Sequence, residues 1–290
     1  MPCYNHARYL AEAIESVLSQ SFGDLELITV DDCSHDNSGD IILKYSLVDK
    51  RVIPILHEQN VGEAKSRNDA MSKARGDYIA FCDSDDLWEV NKLDKQVLIL
   101  ESRRDYNVCH SDSIIIDENG ATSGITFSSL HQKGMTLSGD IFHQLCVRNF
   151  INVPTVLMRR QCVEDAGFFE QDFKYLTDWL YWLKVAKKSR FLYVGEILAR
   201  YRVHSGSTAM DEKGYVPYRI KAYNFILDHF PDIPDKTKSI MYYSLGEQFH
   251  YLQERESAKE CYLKAIRTHQ FNLKACFRLL LSLLVRDDVL

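Results

Sequence analysis

The chain has 290 residues, and its 46% hydrophobic and 26% charged content fits a soluble globular protein with one large domain or a domain plus an appendage. A net charge of −6 argues against the basic face of a nucleic-acid binder, but not against a nucleotide ligand. The eight cysteines stand singly, without C-x-x-C pairs or histidines at metal spacing, and read as buried thiols of a reducing cytosol. No signal-peptide pattern opens the sequence and no run reaches the about 18 apolar residues of a membrane span, so a cytoplasmic protein is expected.

In chain order, "RYLAEAIESVLSQ" is helical, "LELITV" a strand, "NSGDIILKYSLV" a helix and "RVIPIL" a strand. "GEAKSRNDAMSKA" is a helix with Gly76 as C-cap, and "DYIAFC" a strand. "LWEVNKLDKQVLILESR" reads as one long helix, and "YNVCHSDSIIIDENG" as one or two strands ending in a turn. "FKYLTDWLYWLKVA" is an amphipathic helix and "FLYVGEILA" a strand. This alternation predicts an α/β layer with a mainly parallel sheet, whose ligands bind beyond the carboxyl ends of the strands. From about residue 214 the strand signals stop and four helices follow, with Pro231 and Pro234 punctuating the first two.

Two acidic clusters stand at strand ends: Asp31 and Asp32 after "LELITV", and Asp83, Asp85 and Asp86 after "YIAFC". Asp86, three residues before Glu89, suits a helix N-cap. Asp83 and Asp85 suit a shared hard cation, Mg²⁺ or Mn²⁺, which prefers a few carboxylates plus substrate phosphates. The alternative is a solvated acidic loop, and D-x-D alone is a weak motif.

"MPCYNHARYLAEAIESVLSQSF", "VDDCSHDNS", "NVGEAKSRNDAMSKARGDYIAFCDSDD" and "TDWLYWLKVA" together resemble family 2 glycosyltransferases over roughly the first 205 residues. That family has the GT-A fold and inverts configuration, using nucleotide-diphosphate sugars. The resemblance implies that Asp85 ligates the metal and that Asp83 contacts the ribose or donor sugar. It implies Asp32 at the nucleobase, Tyr4 and the Pro2 backbone in the loop that packs on the base, Arg67 facing the diphosphate, and Asp178 as catalytic base. "YRVHSGSTA" also fits, with His204 completing the metal or diphosphate site and Arg202 supporting it. Each has a structural alternative: a turn acid at Asp32, an i,i+4 ion pair of Arg67 with Glu63, a helix-dipole partner at Asp178, and a structural histidine at His204.

The sequence departs from the family pattern at Cys33, where a glycine is usual, and at Thr177, where Glu is usual. Asp69 stands at a less fixed position of the "RN" helix. Relatives carry an apolar strand before "PCYN", whereas only Met1 precedes Pro2 here, so a sheet lacking its usual first strand is expected. The expected domains are a GT-A catalytic domain over 1–212 and an all-α tail over 213–290. Within the tail, Tyr242, Leu245, Gly246, Phe249, Ala258, Tyr262 and Ala265 resemble one tetratricopeptide repeat at about 239–270, with Gln270 in place of the late proline.

The resulting expectation is a metal-dependent transfer of sugar, UDP-linked, to a hydroxyl of a glycan or lipid-linked saccharide acceptor, with specificity in 123–155. The alternative is a non-catalytic GT-A module that recruits partners through its helical tail. One repeat cannot bury its own faces, so the tail is expected to dock on the catalytic domain, on a second copy or on a membrane. "LKACFRLLLSLLVR", with Lys274, Arg278 and Arg286, is compatible with a helix lying at the inner face of the membrane, or with ordinary packing.

Overall fold

The structure, a computed structural model, describes residues 1–131, 137–207 and 211–284. The chain forms two compact units, Met1–Phe142 with Phe150–Met210, and His143–Asn149 with Asp211–Leu290. Residues 132–136 of the acceptor stretch, Thr208 and Ala209 of the histidine motif, and Arg286 lie outside the described residues.

The first unit begins β1 (Pro2–Cys3), α1 (Ala7–Leu18), β2 (Leu27–Asp31), α2 (Ser38–Val48), β3 (Val52–Leu56) and α3 (Glu63–Lys73). The three strands form a parallel sheet in chain order, Pro2 beside Val30 and Leu27 beside Val52. A helix after each strand provides the crossover that parallel pairing needs. Helix α1 buries Leu10, Ala13, Ile14 and Val17, the one-sided spacing read from the sequence.

Strand β1 is two residues long and pairs with β2. Met1 lengthens its pairing, its nitrogen donating to Ile28 O at 2.8 Å and its carbonyl accepting from Val30 N at 2.9 Å. Leu27 and Ile28 of β2 and Tyr78 to Ala80 of β4 (Tyr78–Ala80) line one cavity of about 590 Å³. The sheet divides there, and β4 begins a second one.

That second sheet adds β5 (Leu87–Trp88), β6 (Val108–Ile116), β7 (Thr122–Thr126), β8 (Leu157–Arg159) and β9 (Phe191–Arg202), in the order β4-β8-β6-β9-β5 with β7 on β6. Its β6–β9 pairing is parallel and the others run antiparallel. The fold is thus parallel in its first sheet and mixed in its second. The helices here are α4 (Lys92–Ser102), α5 (Phe127–His131), α7 (Gln161–Ala166) and α8 (Thr177–Ala186), whereas α6 (Phe142–Val147), which precedes β8 in the chain, belongs from His143 onward to the second unit.

Two local expectations are corrected. Leu87 and Trp88 open no helix but pair with Arg200 and Ala199, and Glu89 N donates to Leu198 O at 3.0 Å. Helix α4 therefore starts at Lys92 with Asn91 as N-cap, and Asp86 caps nothing. Likewise α3 ends at Lys73 with Ala74 as C-cap, and Gly76 stands beyond it, where an added Cβ would lie 3.2 Å from Tyr78 O.

The second unit contains α9 (Glu212–His229), α10 (Asp235–Tyr251), α11 (Arg255–Thr268) and α12 (Leu273–Leu284). Gly246 lets α10 approach α11 closely, since a Cβ there would lie 2.5 Å from the Tyr262 ring. Ala258, Tyr262, Ala265 and Ala275 form this unit's buried cluster. Leu273, Phe277 and Leu280 of α12 are exposed. Among the described residues, no helix is long and apolar enough to cross a membrane.

Candidate functional site

The acidic loop hangs between β4 and β5. Asp86 N donates to Asp83 O at 3.1 Å, which folds Asp83, Ser84 and Asp85 into a turn. Asp86 is buried, and its Oδ1 accepts from Arg202 N at 2.8 Å. Burial, followed by repulsion from Asp85 and Asp83, pushes its carboxyl well above the usual range. Asp86 is thus an internal post for the loop, with Asp83 and Asp85 turned elsewhere.

Asp83 meets Arg67. The Arg67 guanidinium is 3% exposed; its Nη2 donates to Asp83 Oδ1 at 2.6 Å and also pairs with Glu63 one turn earlier on α3. The i,i+4 pair and the link to the acidic loop coexist in one residue. The guanidinium also lies 5.5 Å from the centre of the Phe169 ring. Desolvation pushes the Glu63 carboxyl up to about 7, Arg67 pulls against it, and Asp83, Asp178 and Asp85 add to the push. With 42% of the Glu63 side chain exposed, solvent screens part of that push. Asp178, in the first turn of α8, is close enough for its charge to act on both Glu63 and Arg67. Four carboxylates, Glu63, Asp83, Asp85 and Asp178, therefore share a neighbourhood with one guanidinium.

Asp85 meets His204. Its Oδ2 lies 3.1 Å from His204 Nε2, and its main-chain oxygen accepts from Arg202 Nε at 2.7 Å. His204 Nδ1 accepts from Gly206 N at 3.1 Å, so Nε2 carries the proton that Asp85 receives. Arg202 also donates to Glu12 at 2.7 Å and to Asp117 O at 3.3 Å, bracing the loop from β9. His6, which the sequence reading passed over, completes a cluster with these two: one ligating atom each from His6, Asp85 and His204 lie within 4.8 Å of one another. Its polar position just before α1 follows no period that would single it out.

Asp32 lies apart from that cluster. Its Oδ1 accepts from Val61 N and His57 Nδ1, both at 2.9 Å, and its Oδ2 from Gly62 N at 2.8 Å. It shapes the turn into α3 and so sets where Arg67 emerges. His57 reaches Asp69 with its other nitrogen at 3.2 Å, which gives Asp69 a structural partner. Cys33 has φ +61°, the left-handed conformation that explains why a glycine suits this position. Tyr4 is exposed, edge-on to His35 at 6.3 Å, and Pro2 sits in β1.

The donor set suits a divalent cation. A carboxylate and imidazoles are ligands for such an ion. The excess of carboxylates over guanidinium around them supplies the field that would attract one.

The model of the family "Glycosyl transferase family 2" matches residues 1–165. TuaG of Bacillus subtilis, named as a teichuronic acid biosynthesis glycosyltransferase, is 31% identical over 73% of this chain and 80% of its own length. WfgD of Escherichia coli, named as a UDP-Glc:alpha-D-GlcNAc-diphosphoundecaprenol beta-1,3-glucosyltransferase, is 28% identical over 73% of this chain and 79% of its own. Among solved structures, residues 1–349 of S. aureus TarS in complex with UDP-GlcNAc superpose with a TM-score of 0.65 at 20% identity, covering 92% of this chain and 79% of that one. This likeness identifies the fold as GT-A.

Proposed function

The chain belongs to glycosyltransferase family 2, and from that premise we propose an inverting enzyme that moves sugar from a UDP-linked donor to a hydroxyl of a glycan or lipid-linked acceptor. The observation that carries this reading is the meeting of the D-x-D acids with Arg67 and His204, with Asp178 close enough for its charge to act on Arg67 and Glu63. The UDP-sugar donor and lipid-linked acceptor in WfgD's name favour that choice of substrates.

Asp85 and His204 would hold a divalent cation, Mn²⁺ or Mg²⁺. When bound, such an ion supplies charge neutralisation for a departing nucleoside diphosphate. Arg67 faces the same phosphates, its orientation fixed by Asp83 and Glu63. Asp83 contacts ribose or donor sugar. Asp32 sets the nucleobase pocket beside Pro2 and Tyr4. The Asp178 carboxylate takes the proton of the acceptor hydroxyl as its oxygen bonds to the anomeric carbon and the bond to the diphosphate breaks. One displacement, with no covalent sugar–enzyme stage, inverts the configuration.

Asp178→Asn tests the assignment, because it keeps the shape and removes the proton acceptor. Transfer, followed as UDP release with acceptor present, should fall by roughly 10²–10⁴-fold. UDP affinity by calorimetry should remain near the parent value. Transfer at the parent rate would remove Asp178 from the chemistry and leave it as a helix-dipole partner.

A further inference from the structure

The cation site proposed above assigns only Asp85 and His204 as ligands. The structure places a second imidazole beside them. His6 stands on the segment between β1 and α1, with its ring 5.7 Å from that of His204 and nearly perpendicular to it, at 83°. Its Nδ1 lies 2.7 Å from Ser84 Oγ, and Ser84 is the buried centre of the D-x-D turn, 2% exposed. When Nδ1–H donates to that hydroxyl, Nε2 keeps its lone pair. A hydrogen bond of this kind is how the far nitrogen of a ligating histidine is oriented.

The two histidines are prepared differently. His204 donates from Nε2 to Asp85 and accepts at Nδ1 from Gly206. To ligate through Nε2 it must give up the Gly206 contact and carry its proton on Nδ1. His6 needs no such exchange. Tyr9 lies over His204 at 4.8 Å between ring centres and closes one side of the cluster.

We infer that His6 is a protein ligand of the same cation as Asp85 and His204, and that this two-imidazole, one-carboxylate set favours Mn²⁺, Co²⁺ or Zn²⁺ over Mg²⁺. The preference follows from ligand type. Imidazole suits the borderline transition ions, whereas Mg²⁺ keeps to oxygen and retains several waters. Three protein ligands also let the ion bind before the nucleotide, where a site with a lone carboxylate waits for phosphate oxygens. The inference rests on the reading of this site as cation-binding, and it adds His6, the metal preference and the order of binding.

The test measures metal binding to the full chain by calorimetry without nucleotide, with Mn²⁺, Co²⁺ and Mg²⁺ in turn, and again with UDP. The visible absorption of bound Co²⁺ is recorded in parallel. The parent should bind Mn²⁺ and Co²⁺ without UDP, at least roughly tenfold more tightly than Mg²⁺. His6→Ala and His6→Asn should each lose at least about tenfold in nucleotide-free Mn²⁺ affinity and alter the Co²⁺ spectrum. Both variants should still show metal-dependent UDP binding through Asp85. Ser84→Ala, which frees the His6 ring, should fall between parent and His6→Ala. If both His6 variants bind Mn²⁺ and Co²⁺ as the parent does, with the same spectrum, His6 is no ligand, while the Asp85–His204 reading stands. If the parent binds no cation even with UDP present, the reading itself fails and the inference with it.

Discussion

Lys92 places an amine in the protein interior. It is fully buried at the start of α4, with Nζ 2.7 Å from Gln96 Oε1, 3.4 Å from Val156 O and 4.3 Å from the centre of the Trp88 ring. Desolvation lowers its pKa from 10.5 to about 7, with Cys109 and Cys82 pulling weakly the other way. A drop of that size corresponds to a folding cost of about 4 kcal/mol at pH 7, relative to an unfolded chain in which the amine stays charged. Lys92→Met removes the cost and leaves Gln96 Oε1 without this donor, a loss of roughly 1–3 kcal/mol. The variant should therefore be more stable at pH 7 by about 2 kcal/mol. The pH dependence carries the sign. Between pH 7 and 10.5 the unfolded chain binds the proton that the folded chain has shed, so parent stability rises with pH. The variant lacks that rise, and its advantage should shrink by roughly 2 kcal/mol between pH 7 and pH 9. Urea unfolding at the two pH values, with equal slopes for both proteins, measures the gap. A gap that is the same at both would show that Lys92 stays charged in the fold and refute the reasoning. UDP affinity should not change, because the partners of Lys92 are Gln96, Val156 and Trp88, none of them a candidate site residue.

Asp85→Ala should abolish metal-dependent UDP binding, and calorimetry with and without Mn²⁺ reads the loss directly. Asp32→Ala should weaken UDP binding but keep its metal dependence, and loss of the acceptor for the part-buried Val61 and Gly62 amides should lower stability by roughly 1 kcal/mol in a urea titration. Cys33→Gly relieves a left-handed backbone, with φ +61°, and should raise stability by roughly 0.5–1 kcal/mol, seen as a thermal midpoint about 1–4 °C higher.

The strand–helix alternation was legible because each helix carries its apolar stripe at helical spacing, as Leu10, Ala13, Ile14 and Val17 do on α1. Asp83, Asp85, Arg67 and Asp178 were legible for another reason: their motifs match a known family in order and spacing. What escaped depends on contacts made far along the chain. Leu87 and Trp88 look helical beside "KLDKQVLILES", and only pairing with β9, more than a hundred residues later, makes them a strand. Asp86 followed that error, since a cap needs a helix directly after it. His6 escaped because neither periodicity nor composition marks a single polar residue, and its meaning comes from Ser84 and His204.

The division of the sheet bears on how the acidic loop keeps its shape. β4 is three residues long and pairs with β8, while its other side lines the cavity together with Leu27, Ile28, Arg67 and Cys82. Apolar support for the loop comes from Phe81, which is buried against Phe169, Tyr181 and Trp182 just before the acids. Polar contacts fix the turn itself. Arg202 N holds Asp86, Arg202 Nε holds the Asp85 carbonyl, and Asp86 N closes the turn on Asp83. Arg202 is itself buried and paired with Glu12, so its position is fixed before any ligand arrives. Arg67 links the same two regions, its side chain lining the cavity while its guanidinium grips Asp83. Two arginines thus position the acidic loop. The loop that carries Asp83 and Asp85 is thereby tied to β9 and α3 as well as to the strand from which it springs.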